Sequence, residues 1–120
     1  MVITTYAKSG LGLLMTGSGI PPAYCGVGTG SAAEVTTLGS LITPFGARNL
    51  WSERDPSTVN EVNWIFNYDS VTMSGCNLKE FGMGVSIASG ANDLWNREGF
   101  AAINFDGTNE LQISITYQIF

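Results

Sequence analysis

The stretch Glu110–Phe120 limits what this chain can fold into more than any other. Leu111, Ile113, Ile115, Tyr117 and Ile119 alternate with Gln112, Ser114, Thr116 and Gln118. That is the period of two of a strand with one face in a core and one turned outward. The segment carries no charge after Glu110. Its last backbone groups and Phe120 are expected to pair or pack, since exposed strand edges and apolar ends template association. The C-terminus therefore reads as structural.

The rest of the chain supplies partners for such a strand. A loose three-to-four spacing of Ile3, Tyr6, Ala7, Leu11, Leu14 and Met15 predicts one short helix over about 3–15. Pro21 and Pro22 stop it and lead into a strand over about 23–29. Residues 34–47 are irregular, with Leu38, Leu41, Ile42 and Phe45 available to fold back over a core. Strands over about 48–54 and 61–69, joined by the turn at Asp55-Pro56, suggest an antiparallel hairpin. Further strands are predicted over about 77–85, 94–104 and 110–120, with a polar loop at 86–92 and an Asp106-Gly107 turn before the last. The final strand is expected to close the sheet beside the strands of Glu80 and Arg97. Six extended runs, one helix and no βαβ alternation indicate a single mainly β domain over 1–120. Its predicted architecture is an antiparallel β-sandwich or flattened barrel.

Composition narrows the chemistry. A chain of 120 residues can bury one core unaided. Only 12% of residues are charged, and the net charge is −5 with no His. That balance argues against phosphate-backbone recognition and against an anionic membrane surface, so neither nucleic acid nor membrane is an expected partner. Absence of His also removes the usual acid/base group near neutral pH and the commonest transition-metal ligand. Neither a signal peptide nor a membrane span is expected at the N-terminus, where Lys8, Gly10 and Gly12 break the apolar run. Cys25 and Cys76 show no metal-binding or redox spacing and read as two small buried thiols, made in a reducing cytoplasm.

Several groupings could carry function. Gly26-x-Gly28-x-Gly30 resembles a phosphate cradle but lacks the following Gly-Lys-Ser/Thr and any βαβ unit, so it reads as a strand end where backbone must approach closely. The Ser and Thr residues have no His to make a triad, and the carboxylates sit mostly in turns. Asp106-Gly-Thr-Asn-Glu110 lacks the ligand spacing of a calcium loop. No catalytic residue, metal ligand or cofactor is therefore assigned, and the chain reads as a non-enzyme. Glu80 stands on a face otherwise made of Leu78 and Gly82 and needs a cation, which Arg97 or Arg48 can supply. Contact between Glu80 and Arg97 is predicted. Trp64 reads as core. Trp51 and Trp95 have polar neighbours, including Arg54 and Arg97, and three places stay open for them: interface, core or sugar platform. Candidate interface residues are Trp51, Arg54, Trp95 and the polar quartet Gln112, Ser114, Thr116 and Gln118.

The order of short motifs is familiar. Tyr24-Cys-Gly-Val-Gly-Thr-Gly30, Thr37-Leu38 with Arg48 beyond, Leu78-Lys-Glu-Phe-Gly82, Leu94-Trp-Asn-Arg97 and a closing alternating strand follow one another. This succession resembles that of small virion proteins of tailed bacteriophages, of the tail fibre and tail collar kind. Phe81 and Met83 depart from that pattern, as does the missing acidic residue after Leu38. The resemblance implies a non-enzymatic, homo-oligomeric virion component assembled in the host cytoplasm, docking on other virion proteins. Loops around 30–47, 52–60 and 86–93 would face its neighbours. A capsid decoration protein is the alternative reading, and a module binding a host surface glycan is a lower one.

Overall fold

The computed structural model describes residues 2–33, 35–56 and 59–118. In chain order its elements are β1 (Val2–Ile3), α1 (Thr5–Met15), β2 (Tyr24–Gly28), β3 (Asn49–Leu50), β4 (Glu53–Asp55), β5 (Glu61–Tyr68), α2 (Ser70–Met73), β6 (Asn77–Gly84), β7 (Leu94–Asn104) and β8 (Leu111–Gln118). The chain is mainly β, with two antiparallel sheets packed like a sandwich. One sheet has the order β1-β7-β6-β2-β3 and the other β4-β5-β8.

Several boundaries differ from the sequence reading. Residues 2–3 pair with Asn96 and Arg97 of β7 and do not begin the helix. The run 48–54 is two short strands, one in each sheet, because the chain turns a corner at Trp51 and Ser52. Trp51 N still donates to Ala23 O at 3.1 Å on one sheet, whereas Ser52 N donates to Ile65 O at 2.8 Å on the other. The hairpin pairing of β4 with β5 is present, in the register Arg54↔Trp64. Asp69 caps the extra turn α2, its side chain accepting from Thr72 N at 2.6 Å.

A larger correction concerns the last strand. β8 does not lie beside β6 and β7; it pairs only with β5 among the described residues, from Glu61↔Gln118 to Tyr68↔Leu111 without a register break. Alternation predicts a half-buried strand but is silent on which strand lies next to it. The expected packing of Phe120 falls outside the described residues, as does Ile119.

Between the sheets lies the core. Cys25, Val27, Leu78 and Met83 from one sheet meet Trp64, Phe66, Tyr68, Ile113 and Ile115 from the other, with Met73, Cys76 and Phe105 closing one end. Trp64 is thus core, packed edge-on against Tyr117 at 5.1 Å between ring centroids. Cys25 and Cys76 are buried free thiols. Burial pushes the Cys25 thiol up to about 12, so it stays neutral and inert. Helix α1 is anchored by its first residues: Thr4 Oγ1 accepts from Ala7 N and donates to Leu94 O. Only Ala7 of the helix is buried. Its middle rests on Trp95 through Gly10, where a Cβ would come within 2.7 Å of the indole.

Candidate functional site

Two features stand apart from the core: a pair of buried ion pairs on the larger sheet, and an exposed polar face on the smaller one. The first begins with glycine. On the face of β2 and β6 turned away from the core lie Gly26, Gly28, Gly82 and Gly84, and a Cβ on Gly28 or Gly84 would come within 3 Å of a charged side chain. Bare backbone at these positions makes a floor on which long side chains can lie.

Across that floor Arg97 Nε lies 3.3 Å from Glu80 Oε1, with side chains 2% and 0% exposed. The pairing expected from sequence is thus brought together. Sequence did not reveal the rest of the environment. Glu80 also accepts from Gly30 N at 2.9 Å, Ile42 N at 2.8 Å and Thr43 N at 2.9 Å. One carboxylate therefore ties the start and the end of the irregular segment to the sheet, and its charge is met by a guanidinium and three backbone donors. This accounts for Gly30 without a phosphate: its Cβ would sit 2.7 Å from Glu80 Oε2.

The second pair was not anticipated. Arg48 Nη1 donates to Asp93 Oδ1 at 2.6 Å and to Ser86 O at 3.0 Å, and Nη2 donates to Ala91 O at 2.9 Å. Asp93 Oδ2 accepts from Ser86 N at 2.7 Å. Burial alone would raise the Asp93 carboxyl, but the Arg48 and Ser86 hydrogen bonds hold it below the usual carboxylate range. This unit fastens the 86–93 loop. Its sequence signal was the repetition of glycines two apart in two different strands, at 26 and 28 and again at 82 and 84, beside two arginines.

The exposed face belongs to β5 and β8. Gln112, Ser114, Thr116 and Gln118 are all exposed. They are tied sideways to β5: Asn63 Nδ2 donates to Ser114 Oγ at 2.8 Å and to Thr116 Oγ1 at 2.9 Å, and Gln112 Nε2 donates to Asn67 Oδ1 at 3.1 Å. Asn67 Nδ2 continues to Ser52 Oγ at 2.8 Å, and Gln118 Nε2 donates to Glu61 Oε1. The four candidate residues of β8 therefore form one cross-strand ladder.

The remaining candidates separate. Trp51 is half-buried, with the exposed Arg54 guanidinium over its ring at 5.0 Å. Trp95 is only 4% exposed, stacked at 6.5 Å on Tyr117 beneath α1. It is the extra residue of a bulge between the pairs Gly84↔Leu94 and Met83↔Asn96, which turns its ring under the helix. A place for Trp95 at an interface or under a sugar is thereby corrected to a place in the interior. Polar sequence neighbours misled because Asn96 and Arg97 are themselves buried.

A groove of about 920 Å³ runs between α1 and the ends of β5 and β8, lined by Ala7, Leu11, Val62, Trp64, Tyr117 and Gln118 among others. Among the described residues no cluster of three or more His, Cys, Asp or Glu could hold a metal ion. No described helix is long and apolar enough to cross a membrane.

Fold and site together define a small antiparallel β-sandwich with loops fastened by buried ion pairs and one exposed polar face whose β8 residues carry no charge. None of the family models, curated proteins or solved structures compared with the chain matches it.

Proposed function

We propose that this chain is a non-enzymatic structural component of a tailed-phage virion, associated with the tail, its fibre or its collar. It works by self-association and by docking on neighbouring virion proteins. The observation that carries the assembly reading is the exposed face of β8, whose Gln112, Ser114, Thr116 and Gln118 bear no charge and are already held by β5. Covering such a face desolvates no ion on that strand and freezes few free rotors, two of the penalties of association between proteins. Placement in a virion rests on the order of motifs described above. Two of them, Leu78–Gly82 and Leu94–Arg97, supply the Glu80–Arg97 pair. The loops of 30–47 and 86–93 are held by Glu80 and by Arg48–Asp93, which suits a part that must present fixed surfaces.

Gold labelling of the chain in purified particles, read by electron microscopy together with copy number, tests the reading. Label at the tail with about six to eighteen copies is expected from symmetric closure. Hundreds of copies on the head would replace it with capsid decoration, and absence from particles would overturn both.

A further inference from the structure

The edge of β8 can be read group by group. Asn63 Nδ2 reaches Ile115 O at 3.3 Å, so that carbonyl faces β5. Ile65 O accepts from Ser52 N at 2.8 Å, so the Ile65 carbonyl faces away from β8. In the antiparallel register Trp64↔Ile115 is then a hydrogen-bonded pair and Ile65↔Ser114 is not. Alternation along the strand turns the N–H and C=O of Gln112, Ser114, Thr116 and Gln118 away from β5. No described residue pairs with them on that side.

Other edges of the molecule are guarded. β4 is three residues long and wholly charged, while β1 and β3 have two residues each. β7 is covered by β1 at Asn96 and Arg97, and its remaining run opens with Glu98 and meets a register shift in β6. Short strands, charges and irregular pairing are the devices that stop strands from adding to an edge. β8 has none of them: eight residues, no charge, no Pro and an unbroken register.

We infer that β8 pairs antiparallel with β8 of a second copy about a two-fold axis at Ile115, joining two three-stranded sheets into one of six. This deepens the assembly reading and rests on it. With the axis there, Ser114 lies opposite Thr116 of the second copy and Gln112 opposite Gln118. The outward N–H and C=O of all four then find complementary groups, as a self-matching interface requires. A charged strand would meet its own charges in such a pairing; this one brings Ser against Thr and Gln against Gln.

Sedimentation of the full chain over a wide concentration range tests the pairing, read beside amide hydrogen exchange. Ser114→Pro removes an outward donor and spares the backbone hydrogen bonds to β5, giving up only the Asn63 Nδ2–Ser114 Oγ bond, and Thr116→Lys places a charge on the edge. Each is expected to weaken dimerisation by about tenfold or more, since the two-fold doubles every change. In the wild type, amides of Gln112, Ser114, Thr116 and Gln118 should gain protection with concentration while those of Ile113 and Ile115 stay unchanged; this signature needs no variant to fold. Ile65→Lys, on the same face but one strand inward, should leave dimerisation intact. A wild-type monomer at all concentrations, or a dimer broken by Ile65→Lys and indifferent to both edge variants, overturns the pairing. Neither outcome decides whether the chain is in the virion, which the labelling experiment reads separately.

Discussion

Glu80 shows how one side chain can organise a loop. Its carboxylate is fully buried and holds Arg97, Gly30, Ile42 and Thr43 at once. Glu80→Gln keeps the shape but aims an NH₂ group at donors and leaves the Arg97 charge buried without a counterion. Loss of about 3–5 kcal/mol is expected, as for removing one partner of a buried pair. Urea unfolding with an unchanged m-value checks it; a loss under about 1 kcal/mol would mean the pair behaves like a screened surface bridge. Sequence exposed the need of Glu80 for a cation because a lone acid stood in a largely apolar run. Leu78 does not share its face as expected: the register shift between them puts Leu78 in the core and Glu80 on the outer side with Gly28 and Gly82. Nor did sequence expose the three backbone donors, since amides carry no residue identity. Arg48 and Asp93 are 45 positions apart, and nothing local links them.

At the scale of elements, α1 is held by its first turn and by Gly10 on Trp95 more than by a buried face. Tyr6, Leu11, Leu13 and Met15 are exposed, and the cap at Thr4 fixes the first turn to β7 through Leu94 O. Thr4→Ala should therefore cost about 1–2 kcal/mol of local stability. Limited trypsin digestion checks this: cleavage after Lys8 should accelerate while the sandwich resists, and unchanged cleavage would show that packing on Trp95 suffices. The helix itself was legible from its spacing. Residues 2–3 were not, because a two-residue strand has no period to read. Likewise the split of 48–54 is made by pairing partners on two sheets, and the residues at 51 and 52 carry no turn signal.

For the whole molecule, charge placement sets a pH window. Asp93 is held below the usual carboxylate range, as are the capping Asp69 and Asp106. A lowered folded value gives stability that is present above the unfolded value, about 3.9, and is lost as pH falls through the folded one. Cys25 is raised by burial, and so are the Tyr68 and Tyr117 phenols. For acids kept neutral by burial, stability is full below the unfolded value and declines as pH rises past about 8.5 for the thiol and about 10 for the phenols. With no His in the chain, little should change between these limbs. Thermal unfolding from pH 2 to 11 checks it: a plateau from about pH 5 to 8 with a fall on either side is expected, and a step near pH 6 would contradict it.

The alternation of β8 was decided by sequence alone. Which residues face inward depends only on the pleat, and the inner set Ile113 and Ile115 is buried while Gln112, Ser114, Thr116 and Gln118 are exposed. Mainly β architecture, the short helix and the need of Glu80 for a cation were likewise local properties of residue type and spacing. Long-range pairing was not. That β8 lies beside β5, that Arg48 meets Asp93, and that glycines of two strands form one floor are matters of which segments come together. Those choices are made by the closure of the whole core, a sum over contacts far apart in the chain, and period-two alternation is satisfied equally by several neighbours.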